Sequence, residues 1–255
     1  MGRVIAVVNQ KGGTAKTTTA VNVGAYLAMA GRRVLLLDID PQGNATSGVG
    51  VDKSAVERCM YDVLINEVPL SEVVKTTRVN GLDVVPATLQ LAGAEIELVN
   101  TMSREHRLRH SLEAVRNVYD YCLVDCPPSL GLLTVNALTA SDSVLVPIQC
   151  EYYALEGLSQ LLKTVDLVKK HLNPRLDVLG VVLTMFDSRT NLAQQVVDEV
   201  RAHFGDKVFG SVIPRNVRLS EAPSYGMPIP LYDEKSKGAE AYRSLAAELM
   251  KSEGV

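Results

Sequence analysis

The sequence predicts an α/β fold, a single doubly wound, mostly parallel sheet flanked by helices on both faces. Three observations carry this. Short apolar runs alternate with helix-length segments from end to end, the pattern of successive βαβ units. The runs are nearly continuous in Val, Ile and Leu, as strands covered on both faces require. Hydrophobic residues make up 47% of the 255 positions, with 5% aromatics and no Trp, so the core is aliphatic. That apolar content, beside 22% charged residues, also excludes a disordered chain. No Ser/Gly/Pro-rich linker interrupts the pattern, so residues 1–255 are expected to be a single domain.

The elements follow in order. Val4 to Val8 is five apolar residues in a row, giving a strand at 3–8. A helix at 16–30 is followed by the leucine run of a second strand at 33–38. A helix at 56–66 leads to a strand at 82–86. Helices at 90–100 and 104–118 precede the apolar strand 121–125, and a helix at 131–140 leads to a strand at 143–147. Helices at 153–171 and 191–204 bracket the strand 178–185. The last strand, 208–213, opens a proline-rich loop over 214–230, and an alanine-rich helix at 238–252 closes the pattern. Its mixed charge predicts packing on the sheet rather than on a membrane. In such sheets ligands sit beyond the carboxyl ends of the strands, so the loops that follow strands are where function is sought.

The first such loop reads Asn9-Gln10-Lys11-Gly12-Gly13-Thr14-Ala15-Lys16-Thr17-Thr18. A glycine-bearing turn between a strand and a helix N-terminus points backbone N–H groups and the helix dipole at a phosphate, as in P-loop NTPase-like folds. Lys16 would reach the β/γ-phosphates and Thr17 would ligate Mg2+. The GxxxxGK[ST] spacing is not met, because its glycines would fall at Gln10 and Ala15. The loop carries an additional lysine, Lys11, instead.

This form resembles the deviant Walker A motif of the ParA/MinD family, and the chain as a whole resembles a ParA/Soj-type chromosome-partitioning ATPase. The resemblance implies ATP and Mg2+ as cofactors, with residues 11–18 (Lys11, Gly12, Gly13, Thr14, Ala15, Lys16, Thr17 and Thr18) around the nucleotide. It implies that Lys11 reaches across a nucleotide-sandwich homodimer to the partner's ATP, a second cation where charge builds in phosphoryl transfer. Ala15 departs from the family's usual glycine. A φ above zero there would cost alanine about 1–3 kcal/mol, whereas helical or extended dihedrals would cost nothing. The harmless geometry is the expectation, because the rest of the loop is intact.

Acidic residues end two strands. Alternation puts Asp38 and Asp40 on one side of the second strand's exit, facing the loop. The resemblance gives Asp40 the role of orienting the attacking water and places Asp38 nearer the Mg2+. The segment after them, with Gly43, Gly48 and Gly50, reads as a switch that senses the γ-phosphate. The strand 121–125 ends in Asp125, the Walker B arrangement, in which the acid contacts Mg2+. After the last strand, Pro214 and Asn216 match the family's adenine-contacting segment.

The net charge of 26 − 29 = −3 excludes DNA binding by bulk charge and leaves local patches open. Residues 163–175 carry Lys163, Lys169, Lys170 and Arg175 against Asp166, and 207–220 carry Lys207, Arg215 and Arg218 with no acid. The resemblance assigns nonspecific double-stranded DNA binding to Arg189 and Arg218, in a dimer that forms with ATP. The arginines at 104, 107, 109 and 116, diluted by Glu105 and Glu113, read as a solvated helix face. Cys59, Cys122, Cys126 and Cys150 form no CxxC pair and read as small buried thiols rather than cluster ligands.

Taken together, the resemblance implies a weak ATP hydrolase stimulated by a ParB-like protein, acting in chromosome or plasmid partitioning. A cytoplasmic, nucleoid-associated location without stable membrane association is expected. The first strand begins at residue 3, so no N-terminal helix-turn-helix domain is expected. The alternatives are a MinD-like membrane-positioning ATPase, which would need a basic amphipathic C-terminal helix, a metabolic enzyme or cluster carrier on the same scaffold, and a binding module disabled by Ala15 that dimerises or scaffolds without turnover.

Overall fold

The computed structural model describes residues 2–152 and 158–252. Eight strands form one sheet: β1 (Arg3–Val7), β2 (Val34–Asp38), β3 (Lys75–Thr76), β4 (Leu82–Val85), β5 (Tyr121–Asp125), β6 (Ser143–Gln149), β7 (Asp177–Phe186) and β8 (Val208–Pro214). Their order is β3-β4-β2-β5-β1-β6-β7-β8. Every pairing is parallel except that of β3 with β4. The chain adds β2 on one side of β1 and β6 on the other, which makes the carboxyl end of β1 a switch point open to a ligand.

The near-continuous apolar runs are explained by two cores, one on each face. Along β1, Val4 and Ala6 enter one core while Ile5 and Val7 enter the other. The first core is roofed by α5 (Leu91–Glu97), α6 (Arg107–Glu113), α7 (Leu132–Ala140), α8 (Leu158–His171) and α9 (Asn191–Phe204). The second lies under α1 (Lys16–Met29) and α12 (Lys237–Ser252). Shorter helices connect these elements: α2 (Asn44–Gly48), α3 (Met60–Leu64), α4 (Leu70–Val73), α10 (Val217–Glu221) and α11 (Ile229–Tyr232).

The seven expected strands are present with ends within two residues of expectation. β3 was not expected, because two exposed residues leave no apolar signal. The helix expected at 104–118 splits into a 3-10 turn at Arg104–His106 and the shorter α6. The helix expected at 56–66 contracts to α3, whose start is fixed by Asp62 accepting from the Cys59 N–H. For the helix expected at 153–171, residues 153–157 lie outside the described residues, as do 253–255 of the tail.

The apolar stripe of α12, with Tyr242, Leu245, Ala246 and Leu249, is buried against β8 and α1. The Tyr242 hydroxyl pairs with that of Thr19 at 3.1 Å. Glu248 from the same helix accepts the Gly210 N–H at 2.7 Å and the Ser211 hydroxyl, covering part of the β8 edge. No helix among the described residues is long and apolar enough to cross a membrane.

Candidate nucleotide-binding site

The loop between β1 and α1 is shaped by two left-handed residues, Gly13 (φ 76°) and Ala15 (φ 66°, ψ 30°). Position 15 therefore has neither the helical nor the extended dihedrals expected of it. The turn into α1 needs the left-handed region, where the alanine Cβ crowds its own backbone. Everything else holds the loop firmly. Asn9 accepts the Lys11 N–H at 3.0 Å and donates to the Pro147 carbonyl of β6 at 2.7 Å. The Thr184 hydroxyl of β7 is shared between the carbonyls of Thr14 (3.1 Å) and Ile148 (3.2 Å). Lys16 is buried and donates to the Lys11 carbonyl at 3.1 Å, while Gly12 and Gly13 face solvent. Asn9 and Thr184 were missed in the sequence, where a buried Asn and a strand Thr carry no signal of their own.

Asp38 and Asp125 are neighbours across the β2–β5 pairing, and both are fully buried. Their surroundings differ. Asp38 accepts the Thr46 N–H (2.8 Å), the Thr46 hydroxyl (2.7 Å) and the Asp40 N–H (3.2 Å), so it clips α2 to the strand end. Thr46, also missed, in turn accepts the Ala87 N–H at 2.9 Å. Asp125 has the Thr17 hydroxyl close enough to favour its ionised form, yet neither of its oxygens makes a hydrogen bond of good geometry. Asp40 accepts the Gln42 N–H through one oxygen at 2.9 Å.

Burial dominates the electrostatics. It pushes Asp125 well above the usual carboxylate range, helped by the charge of Asp38, and raises Asp38 to about 6. Burial also lowers Lys16, opposed by the neighbouring acids Asp125 and Asp40. Two buried carboxyls side by side cannot both ionise cheaply without a cation. The unpartnered oxygens of Asp125 beside a threonine hydroxyl fit a hard, oxygen-seeking divalent ion such as Mg2+. Among the described residues no cluster of three or more His, Cys, Asp or Glu forms an all-protein metal cage, and all four cysteines are buried and free.

Beyond the loop, a cavity of about 350 Å3 brings Ala15, Thr18, Pro214 and Asn216 together. Asn216 also caps α10 by accepting the Arg218 N–H at 2.9 Å. A neighbouring cavity of about 430 Å3 lies between Thr17, Thr18 and α2 on one side and the turn at 219–227 on the other. Next to residues that line it, Gly50 and Gly226, both at positive φ, pack against one another. A Cβ on Gly226 would stand 2.9 Å from the Gly50 Cα.

The basic residues separate by position. Arg189, Arg215 and Arg218 follow the carboxyl ends of β7 and β8, at the nucleotide end of the sheet. Lys169, Lys170, Arg175 and Lys207 gather near the start of β7 and β8, at the far end, where Lys169 and Lys207 pair with Asp177. Of the arginines at 104, 107, 109 and 116, read as a solvated face, Arg109 is exposed but two are not free in solvent. Arg116 is only a quarter exposed, donates to the Gly2 carbonyl and pairs with Asp142, and Arg107 pairs with Glu67.

Comparison with known proteins agrees with this geometry. A family model described as an AAA domain matches residues 2–178. Sporulation initiation inhibitor protein Soj of Bacillus subtilis (strain 168) is 66% identical over 249 residues, spanning 98% of both chains. Chromosome partitioning protein ParA of Myxococcus xanthus (strain DK1622) is 59% identical over 251 residues, covering 98% of this chain and 89% of that one. The structure of cobyrinic acid a,c-diamide synthase from Mycobacterium smegmatis, with bound ADP and magnesium, superposes with a TM-score of 0.88 at 40% identity, covering 100% and 96% of the two chains. The Pyrococcus furiosus cell division ATPase MinD superposes at 0.79 with 27% identity over 98% and 99%. The deviant phosphate loop, the order of its acidic strand ends and these near full-length likenesses place one conclusion beyond the fold: the chain belongs to the ParA/Soj-type chromosome-partitioning ATPases of the ParA/MinD family.

Proposed function

We propose that the protein is an ATP-dependent dimerising switch that binds DNA nonspecifically and hydrolyses ATP slowly, in partitioning with a ParB-like partner. The observation that carries this reading is the pinned loop with its two lysines: Lys16 turned inward, and Lys11 half-exposed, in no ion pair among the described residues. Lys16 and the loop N–H groups hold the phosphates. Pro214 and Asn216 line the cavity that suits the base. Thr17 and Asp125, with Asp38 beside them, would hold Mg2+, which when bound neutralises charge on the phosphates. Asp40, fixed through one oxygen, has its other oxygen to orient the attacking water. Lys11 completes the site of a second subunit, so ATP closes the dimer and brings two copies of Arg189 and Arg218 to one surface.

The MinD-like alternative needs an apolar helix face for the membrane, and that of α12 is already spent on β8 and α1. Co-sedimentation with random-sequence DNA and with anionic liposomes, each with ATP or ADP, separates the two. ATP-dependent DNA binding that weakens with salt, survives Asp40→Ala and is lost in Arg189→Glu is expected. Liposome binding without DNA binding would overturn the proposal.

A further inference from the structure

Each of the three arginines at the nucleotide end of the sheet carries a carboxylate. Arg189 is 84% exposed, yet its Nε and Nη2 donate to the two oxygens of Asp187 at 2.9 and 2.6 Å. That is the fork a guanidinium offers a phosphate, already filled. Arg218 pairs with Glu221 at 2.9 Å and Asp233 at 3.3 Å, and Arg215 with Glu151 at 2.9 Å. The linear count of +3 over 207–220 misses these acids, because Glu221, Asp233 and Glu151 reach the arginines from outside that window.

We propose that Asp187 and Glu221 are built-in competitors of DNA phosphate, each occupying the arginine that DNA must engage and so setting the affinity of this surface low. The inference rests on the DNA-binding reading above and deepens it. Two physical points favour competition over mere support of the arginine. First, the Asp187–Arg189 pair leaves little net charge where nonspecific binding draws its energy from counterion release by unpaired cations. Second, the Arg189 guanidinium holds the Asp187 carboxyl well below the usual carboxylate range, so Asp187 keeps its charge and repels an approaching phosphate. The turn itself needs only an oxygen at position 187, since Oδ1 also accepts the Arg189 N–H at 3.1 Å, and an asparagine supplies that oxygen without the charge.

The test is Asp187→Asn in the full chain, with anisotropy of a labelled random-sequence duplex, ATP present and salt titrated. An exposed pair of this kind holds its arginine by a factor of roughly 1.4 to 5, so two copies in a dimer give about a 2- to 25-fold gain in affinity. The salt dependence should steepen by about 0.9 in log–log slope for each phosphate newly engaged. Glu221→Gln, which keeps an acceptor for the Tyr232 hydroxyl, should act in the same direction, and the double variant should exceed either. A gain of function cannot come from misfolding. Unchanged or weaker binding in both variants, at unchanged slope, would overturn the inference and make these acids positioning residues. Failure of wild type and variants alike to bind DNA with ATP, while ATP is still hydrolysed, would instead remove the DNA-binding reading beneath it.

Discussion

Replacing Ala15 by glycine should stabilise the protein. Position 15 stands at φ 66°, ψ 30°, as the residue before the first turn of α1. A left-handed alanine costs roughly 1–2 kcal/mol, which glycine does not incur. Glycine gives back about 0.4–1 kcal/mol by loosening the unfolded chain. The two ranges leave a net gain of about 0–1.6 kcal/mol, centred near 0.8, and for a chain of this length each kcal/mol moves Tm by roughly 2–4 °C. Calorimetry of Ala15→Gly without nucleotide should therefore show a rise of about 2–3 °C, with an upper limit of about 6 °C. Ala15→Val should fall, because a β-branched side chain tolerates this region least. A lower Tm for the glycine variant would refute the reasoning, since it would mean that the backbone at 15 does not need the left-handed region. Because Ala15 also lines the cavity with Pro214 and Asn216, the same variants titrated with ADP would separate backbone strain from contact with the ligand.

Two further substitutions probe contacts elsewhere. Gly226→Ala adds a Cβ 2.9 Å from the Gly50 Cα and 3.3 Å from the Ser47 carbonyl at a positive φ; a loss of about 2–4 kcal/mol is expected, seen as a fall in Tm, with weaker ATP binding because the switch segment is pushed away. Glu248→Ala removes the acceptor of the exposed Gly210 N–H and of the Ser211 hydroxyl, costing about 0.5–1.5 kcal/mol, and light scattering should show concentration-dependent self-association that Glu248→Gln does not.

The sheet was legible because burial on both faces leaves one chemical trace, the aliphatic run, and seven strands carried it. β3 carried none. The phosphate loop was legible from its glycines and lysines, and the strand-end acids from their position after apolar runs. Their division of labour was not, because nothing in the linear sequence says that Thr46 will occupy Asp38 while Asp125 is left without a good partner. The same limit hid Asn9 and Thr184, whose partners lie 138 and 170 residues away. Ala15 shows a different failure: the otherwise intact loop favoured a harmless alanine, and only the dihedral revealed strain. Local charge counts misled for a third reason, since Coulomb partners are chosen in space. Glu151 and Arg215 are 64 residues apart.

Pinning by Asn9 and Thr184 has a thermodynamic consequence. A free glycine-bearing loop would lose conformational entropy on closing around phosphate, and that loss would weaken binding. Here the ordering was completed when the chain folded, through bonds to β6 and β7 that involve no ligand. On the proposed function, what would remain for the arriving phosphate is an exchange of acceptors, with the Lys16 ammonium leaving the Lys11 carbonyl for a phosphate oxygen. Such an exchange would turn one side chain within an already ordered loop, so capture of the phosphate would not wait for a folding step.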